Sequence, residues 1–104
     1  MSAESARLDK WLWYARFAKT RALSQKLIAH GQVSVNGASA RKAGALVHPG
    51  DTVCVVLGPV RHTVIVRGVG ERRGPTAEAR GLYDEPNAPE RLSWEEAGVP
   101  PHRL

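Results

Sequence analysis

The chain has 104 residues with one cysteine, and its 15 lysines and arginines against 10 aspartates and glutamates give a formal net charge of +5. This length suits one domain and excludes a separate catalytic domain, and one cysteine excludes a disulfide framework or a cysteine zinc site within the chain. The first residues form no hydrophobic signal region and no apolar run approaches the ~20 residues that span a bilayer, so we expect a cytoplasmic protein that does not enter the membrane.

A first helix is predicted after a flexible N-terminus formed by residues 1–6, which are small and polar. Leu8, Trp11, Leu12 and Ala15 recur at the i, i+3, i+4, i+7 spacing of one helical face. This apolar stripe predicts that Trp11 packs in the core.

A second helix is predicted to follow Thr20, whose hydroxyl is a suitable N-cap. Leu23, Leu27 and Ile28 supply the stripe that this helix would bury, and Gly31 is a natural residue just beyond its end. The two helices are expected to pack antiparallel.

Beyond Gly31 the hydrophobic period changes from 3.6 to 2, which indicates strands. Val33 and Val35 alternate with polar neighbours, and Asn36-Gly37 is the preferred two-residue hairpin turn, in which glycine supplies a positive φ. The other predicted elements are a return strand over residues 38–40, a basic loop over 41–44, strands over 52–57 and 60–69, and a short helix over 76–82.

The last segment, residues 84–104, is acidic and contains four prolines, which oppose any long helix or strand. We therefore predict a mobile or partly ordered tail, with one capped helical turn at Ser93-Trp94-Glu95-Glu96.

The positive charge lies ahead of that tail. Residues 1–83 carry 13 Lys and Arg against 5 Asp and Glu, whereas residues 84–104 carry 2 against 5. This asymmetry indicates a polyanionic partner, and a basic surface that is merely solvated is the alternative. The candidate binding residues form three groups: Arg7, Lys10 and Arg16 on the first helix; Lys19, Thr20, Arg21, Gln25 and Lys26 around the second; and Asn36, Gly37, Arg41 and Lys42 in and after the hairpin.

Arg21 stands where the second helix begins, so its guanidinium and the exposed backbone N–H groups can act on one phosphate. Asn36 tolerates a left-handed backbone and can donate from its amide, whereas Gly37 contributes mainly turn geometry.

Nothing in the sequence assembles a nucleophile, a base and an oxyanion site, so we predict no catalytic residue, no metal and no cofactor. The four histidines are scattered and no phosphate-binding loop is present. Two questions stay open. Trp13, Tyr14 and Phe17 either cover the later strands or stack on bases, and Arg72-Arg73 either forms a solvated turn or contacts RNA.

Residues 7–56 read RLDKWLWYARFAKTRALSQKLIAHGQVSVNGASARKAGALVHPGDTVCVV, which resembles the S4 RNA-binding domain. The wider match, to RLDKWLWYARFAKTRAL and RHTVIVRGVGERRGPTAEARGLY, resembles the bacterial heat-shock protein 15 family and covers roughly residues 7–84. The resemblance implies an α+β domain over residues 7–83, in which two packed helices lie against a small, mostly antiparallel sheet followed by an extra strand and a short helix. It also implies an RNA-binding face that includes Asn36, Arg41 and Lys42.

By resemblance, the expected partner is structured RNA, namely ribosomal RNA of a large subunit that still carries a nascent chain on tRNA, bound by a monomer during rescue or recycling after stress. Relatives commonly continue into a longer basic C-terminal segment, whereas this tail is short and acidic. The alternatives are an S4 factor for another structured RNA or for ribosome assembly, an S4 module of an RNA-modifying enzyme, and a module that binds an acidic protein.

Overall fold

The computed structural model describes residues 4–92. The helices are α1 (Leu8–Tyr14), α2 (Arg21–Ala29) and α3 (Thr76–Ala79), and a 3-10 turn over Arg80–Leu82 continues α3. The strands are β1 (Ala6–Arg7), β2 (Val33–Val35), β3 (Ala38–Ser39), β4 (Leu46–Val47), β5 (Thr52–Leu57), β6 (Val60–Val66), β7 (Tyr83–Asp84) and β8 (Glu90–Arg91).

Six strands form one antiparallel sheet in the order β3-β2-β5-β6-β7, and β8 also pairs with β6. The β5–β6 hairpin forms its centre, with Leu57 opposite Val60 and Thr52 opposite Ile65. Outside this sheet, β1 pairs with β4, and Ala6 lies opposite Val47. Ala6 is the last residue of the segment 1–6 that was predicted to be flexible.

Alternate residues along a strand point to the same face of the sheet, and on one face those residues are apolar. The helices cover this apolar face. Val53, Val55, Val64 and Val66 are at most 1% exposed. They share one cluster with the helical residues Leu8, Trp11, Leu12 and Ile28, all of which are fully buried. The predicted α+β class, with two packed helices against a mostly antiparallel sheet, is confirmed.

The predicted helix cap at Thr20 and the predicted hairpin turn at Asn36-Gly37 are confirmed. The Thr20 hydroxyl accepts a hydrogen bond of 3.1 Å from the backbone N–H of Leu23, which makes it the N-cap of α2. Asn36 and Gly37 have φ values of 51° and 84°, the two left-handed residues that a type I′ turn needs.

Three predicted boundaries of helices and strands, and one predicted buried position, are wrong in detail. Arg7 lies in β1, directly before α1, and Arg16 lies beyond α1, with a left-handed φ of 67° that a helix cannot contain. The strand predicted over 60–69 ends at Val66. Leu23 is 42% exposed, so only part of the predicted stripe of α2 is buried.

The tail was predicted to be mobile or partly ordered, and its first part, residues 84–92, is ordered against the sheet. Their strands β7 and β8 pair with β6, and Leu92 is 6% exposed, with its N–H bonded to the carbonyl of Pro59 at 2.6 Å. Two ion pairs, Arg61–Glu90 at 2.8 Å and Arg67–Asp84 at 3.1 Å, add to this docking, as does a hydrogen bond of 2.9 Å between His62 and Glu85. The predicted capped turn at Ser93-Trp94-Glu95-Glu96 lies outside the described residues.

Candidate nucleic-acid interface

A buried aspartate organises the junction between α1 and α2. Asp9 is fully buried in the first turn of α1. Its Oδ1 accepts from Arg7 Nε at 3.1 Å and from the Lys10 backbone N–H at 2.9 Å. Its Oδ2 accepts from Arg7 Nη2 at 3.3 Å, Arg21 Nε at 3.1 Å and Gln25 Nε2 at 3.0 Å. We call Arg7, Asp9, Arg21 and Gln25 the Asp9 cluster.

The cluster holds Asp9 in its ionised form. Burial alone would raise the pKa of this carboxyl, but the hydrogen bonds from Arg7, Gln25 and Arg21 and the charge of Arg21 outweigh burial and lower the pKa from 3.8 to about 2. One carboxylate therefore faces two guanidinium groups at neutral pH, and the cluster keeps a net positive charge.

Both arginines stay accessible while Asp9 fixes them. The side chains of Arg7 and Arg21 are 45% and 38% exposed, although Asp9 between them is fully buried. Arg21 bonds Asp9 through Nε, so its two terminal nitrogens take no part in that contact. A guanidinium held at one edge is well suited to donate from its other edge to a phosphate oxygen.

The basic loop of residues 41–44 lies beside this junction. The backbone N–H of Leu8 donates to the carbonyl of Ala45 at 2.7 Å, and that of Asp9 donates to the carbonyl of Ala43 at 3.2 Å. A Cβ built on Gly44 would lie 3.8 Å from Cζ of Arg7. The exposed Arg41 and Lys42 therefore adjoin the Asp9 cluster. We call Arg7, Lys10, Arg21, Gln25, Arg41 and Lys42 the basic face.

Three other predicted cationic residues lie away from the basic face. Arg16 donates from Nε to the carbonyl of Gly74 at 2.9 Å, in the segment between β6 and α3. Lys19 and Lys26 are exposed and line an open groove with the apolar Leu23. Their charge adds to the positive field around α2, but no hydrogen bond joins them to Asp9.

The hairpin tip is fixed by contacts of its own. Asn36 Nδ2 donates to Oδ1 of Asp51 at 3.1 Å, and Asn36 Oδ1 accepts from the Thr52 N–H at 2.9 Å. Asn36 therefore holds the turn against β5, and one of the two N–H groups of its amide is engaged by Asp51. Gly37 is exposed, and its φ of 84° shows that its role is to adopt the left-handed conformation that the turn needs.

The predicted core position of Trp11 is confirmed, and Phe17 is the one of the three undecided aromatic residues whose ring contacts identify its neighbours. Trp11 is fully buried, as predicted, and its Nε1 donates to the carbonyl of Gly68 at 2.8 Å. The ring of Phe17 lies 4.9 Å from that of Tyr83 and 6.1 Å from that of Trp11, so Phe17 covers the later strands. Trp13 and Tyr14 contact each other at 5.7 Å and are half-buried.

Within residues 4–92, no group of three or more His, Cys, Asp and Glu side chains is arranged to hold a metal ion. No helix in that range is long and apolar enough to cross a membrane.

The sequence analysis missed Asp9 and the acidic partners of β6. Asp9 had a visible signal, since it is the only acidic residue between Glu4 and Asp51 in a strongly basic stretch. The pairing of Arg61 and Arg67 with Glu90 and Asp84 had no local signal, because the partners are 29 and 17 residues apart.

Comparison with known proteins agrees with this geometry. A family model described as the S4 domain matches residues 6–53, which contain the whole basic face. Heat shock protein 15 of Escherichia coli is 45% identical over 83 residues, which are 80% of this chain and 62% of that protein. A solved structure, described as trimeric heat shock protein 15 of Vibrio cholerae, aligns with a TM-score of 0.74 at 39% identity and covers 79% of this chain and 82% of that one. The chain belongs to the heat-shock protein 15 family. Its residues 6–53 form the S4 domain of that family.

A further relative extends the comparison beyond proteins with that name. The RQC P-site tRNA stabilizing factor of Bacillus subtilis is 42% identical over 77 residues, which are 74% of this chain and 87% of that protein. The present chain spans only about three-fifths of the length of the Escherichia coli relative.

Proposed function

We propose that this protein is a non-enzymatic factor that binds ribosomal RNA of the large subunit while the subunit carries a stalled nascent chain on tRNA. The observation that carries the proposal is the Asp9 cluster, in which a buried carboxylate presents two partly exposed arginines beside a basic loop. The Bacillus subtilis relative, named for stabilising P-site tRNA, supports the link to a subunit that holds tRNA.

The charge distribution supports a specific face rather than a uniformly basic surface. On β6, Arg61 and Arg67 are paired with Glu90 and Asp84, so the positive charge of the sheet is largely neutralised within the chain. The basic face has Asp9 as its only hydrogen-bonded acid among the described residues, and that carboxylate is shared. Phosphates are therefore expected at the helix junction.

The proposed binding mode relies on shape and charge. Arg7, Arg21, Arg41 and Lys42 contact phosphates, which displaces counterions, while the rigid helix junction selects RNA whose phosphates match its spacing. Lys10 and Gln25 support these contacts from the same face. Outside the basic face, the further contacts that we propose are Arg16, Lys19, Thr20, Lys26, Asn36 and Gly37. The protein acts as a monomer in the cytoplasm, where the large subunit is found.

Sedimentation with ribosomal particles tests this function. Purified protein is mixed with large subunits that carry peptidyl-tRNA, with vacant large subunits and with small subunits, and each gradient fraction is probed for the protein. Co-sedimentation should be strongest with the large subunits that carry peptidyl-tRNA. Equal binding to small subunits would favour a general S4 factor for structured RNA, and no binding to any particle would refute the proposal.

A matched pair of double variants isolates the basic face. Arg7→Gln with Arg21→Gln removes two charges from the Asp9 cluster, whereas Arg61→Gln with Arg67→Gln removes two charges from β6. The first double variant should lower the affinity for the large subunit about tenfold to a hundredfold. Each charge-assisted contact to a phosphate contributes roughly 1.5–3 kcal/mol, and water replaces part of that contribution in the variant. The second double variant should change the affinity less than threefold. The sedimentation of both proteins alone also reports whether the protein is monomeric.

A further inference from the structure

A cavity of about 260 Å³ lies between the end of α1 and the C-terminal part of the sheet, apart from the basic face. Phe17, His62 and Tyr83 line it with three aromatic rings, and Arg16 and Arg80 line it with two guanidinium groups. Three of these five residues lie beyond the segment that matches the S4 domain. The function proposed above uses none of the three rings.

The rings form one cluster with a fixed arrangement. The ring centre of Phe17 is 4.9 Å from that of Tyr83 and 5.8 Å from that of His62. Glu85 Oε2 lies 2.9 Å from Nδ1 of His62 and restrains the imidazole. All three rings are half-buried, so part of each remains open to a ligand.

The charges around the cavity favour an anion. Arg16 is anchored by its Nε to the carbonyl of Gly74, which leaves its terminal nitrogens outside that bond. Arg80 is exposed in the 3-10 turn, and within residues 4–92 its guanidinium makes no hydrogen bond or ion pair. Glu85 is the only carboxylate among the described lining residues, and it is engaged by His62.

We propose that this cavity binds one unpaired nucleotide of the RNA, with the base against the rings of Phe17, His62 and Tyr83 and the phosphate between Arg16 and Arg80. The inference rests on the proposed RNA-binding function and adds a second contact to it. Unpaired bases that splay out of an RNA are bound by stacking on aromatic side chains, and cationic side chains follow the backbone. The carboxylates of an acidic peptide would pair with Arg16 and Arg80, but the peptide would offer no planar group to stack on the three aromatic rings.

The size of the cavity is consistent with a single nucleotide. Sites for whole drug-sized ligands occupy ~300–1,000 Å³. The present cavity is slightly smaller than that range, so it suits one base with its phosphate rather than a dinucleotide.

Paired RNA hairpins test the proposal. Each hairpin has the same stem, and the test RNAs differ from the reference only by one bulged A, C, G or U. The affinity of the protein is measured by fluorescence anisotropy, and the aromatic resonances of Phe17, His62 and Tyr83 are followed by NMR. At least one bulged RNA should bind about fivefold to tenfold more tightly than the reference, since a stacked base contributes at least about that factor. The same RNA should shift the aromatic resonances.

Two variants and one control identify the cavity as the cause. Phe17→Leu keeps an apolar side chain but removes one ring, and Arg80→Gln removes one exposed charge. Both should abolish most of the advantage of the bulged RNA, whereas Arg91→Gln, an equal charge change in β8, should retain it. Phe17 also contacts Trp11, so the melting temperature of Phe17→Leu is measured as well. If Phe17→Leu unfolds, the result with Arg80→Gln alone tests whether the cavity causes the tighter binding of the bulged RNA.

The outcomes separate this inference from the proposed function. If wild-type protein binds the reference hairpin but gains nothing from any bulge, or if both variants keep the gain, the nucleotide site is refuted while RNA binding stands. A free nucleoside monophosphate that removes the gain at micromolar concentration would also overturn the assignment, because the site would then serve a free nucleotide. Loss of binding to all hairpins would refute both.

Discussion

Replacing Asp9 with asparagine should both destabilise the domain and weaken RNA binding. The substitution keeps the size of the side chain but removes the charge that Arg7 and Arg21 share, and it leaves a buried amide among donors. Removing one partner of a fully buried ion pair costs ~3–5 kcal/mol. The two arginines here are 45% and 38% exposed and can be rehydrated, so we expect a loss of about 2–3 kcal/mol.

The dependence on pH gives a second way to measure the same contribution. The pKa of Asp9 falls from 3.8 to about 2 on folding, so the carboxylate stabilises the folded state above pH 4, and this contribution is lost as the pH falls towards 2. At 1.36 kcal/mol per unit of pKa, the shift corresponds to about 2 kcal/mol. The difference in stability between wild-type and Asp9→Asn proteins should therefore be full at pH 7 and much smaller near pH 2.

Urea denaturation followed by circular dichroism at a series of pH values measures this difference. Asp84→Asn is the matched control, because Asp84 is 54% exposed and pairs only with Arg67 at the surface, where such pairs contribute ~0–1 kcal/mol. RNA affinity should also fall for Asp9→Asn because the arginines lose their common anchor. If Asp9→Asn unfolds at the wild-type urea concentration and binds RNA normally, the organising role of Asp9 is refuted.

Three further predictions concern the fold. Trp11→Ala should lower the free energy of unfolding by about 3–5 kcal/mol, whereas Trp11→Phe should lose mainly the hydrogen bond to Gly68, about 1 kcal/mol, and chemical denaturation distinguishes the two. Gly37→Ala should cost about 1 kcal/mol by the same measurement, because alanine is strained at a φ of 84°. Ending the chain after Asp84 should lower the melting temperature, since β8 and the buried Leu92 are removed. Leu92→Ala should reproduce much of that loss. An unchanged melting temperature in both proteins would contradict the packing of residues 85–92 against β6.

Local chemistry explains which parts of the fold could be predicted. The cap at Thr20, the left-handed pair Asn36-Gly37 and the strand over 52–57 each depend on residues a few positions apart, so their signals lie in short windows of sequence. The buried position of Trp11 followed from helical periodicity in the same way.

The other parts depended on contacts that no short window contains. Proline content suggested a mobile or partly ordered segment after Tyr83, but it gave no sign of which part is ordered. The backbone of β6 and the side chains of Arg61 and Arg67 pair with residues between 84 and 91 and order them. The basic side chains of the candidate site could be listed from composition. Their division into a basic face around Asp9 and a separate Arg16 beside Gly74 required the three-dimensional arrangement.

The salt dependence of RNA binding tests the central claim most directly. If wild-type protein neutralises about five to seven phosphates, the slope of log K against log salt should be near −4 to −6, from ~0.7–0.9 per contact. Replacing Arg7, Arg21 and Lys42 together with glutamine should make that slope less steep by about 2 to 3, since three phosphate contacts are lost. A flat response in the wild-type protein, or an unchanged slope in the triple variant, would contradict the assignment of the basic face.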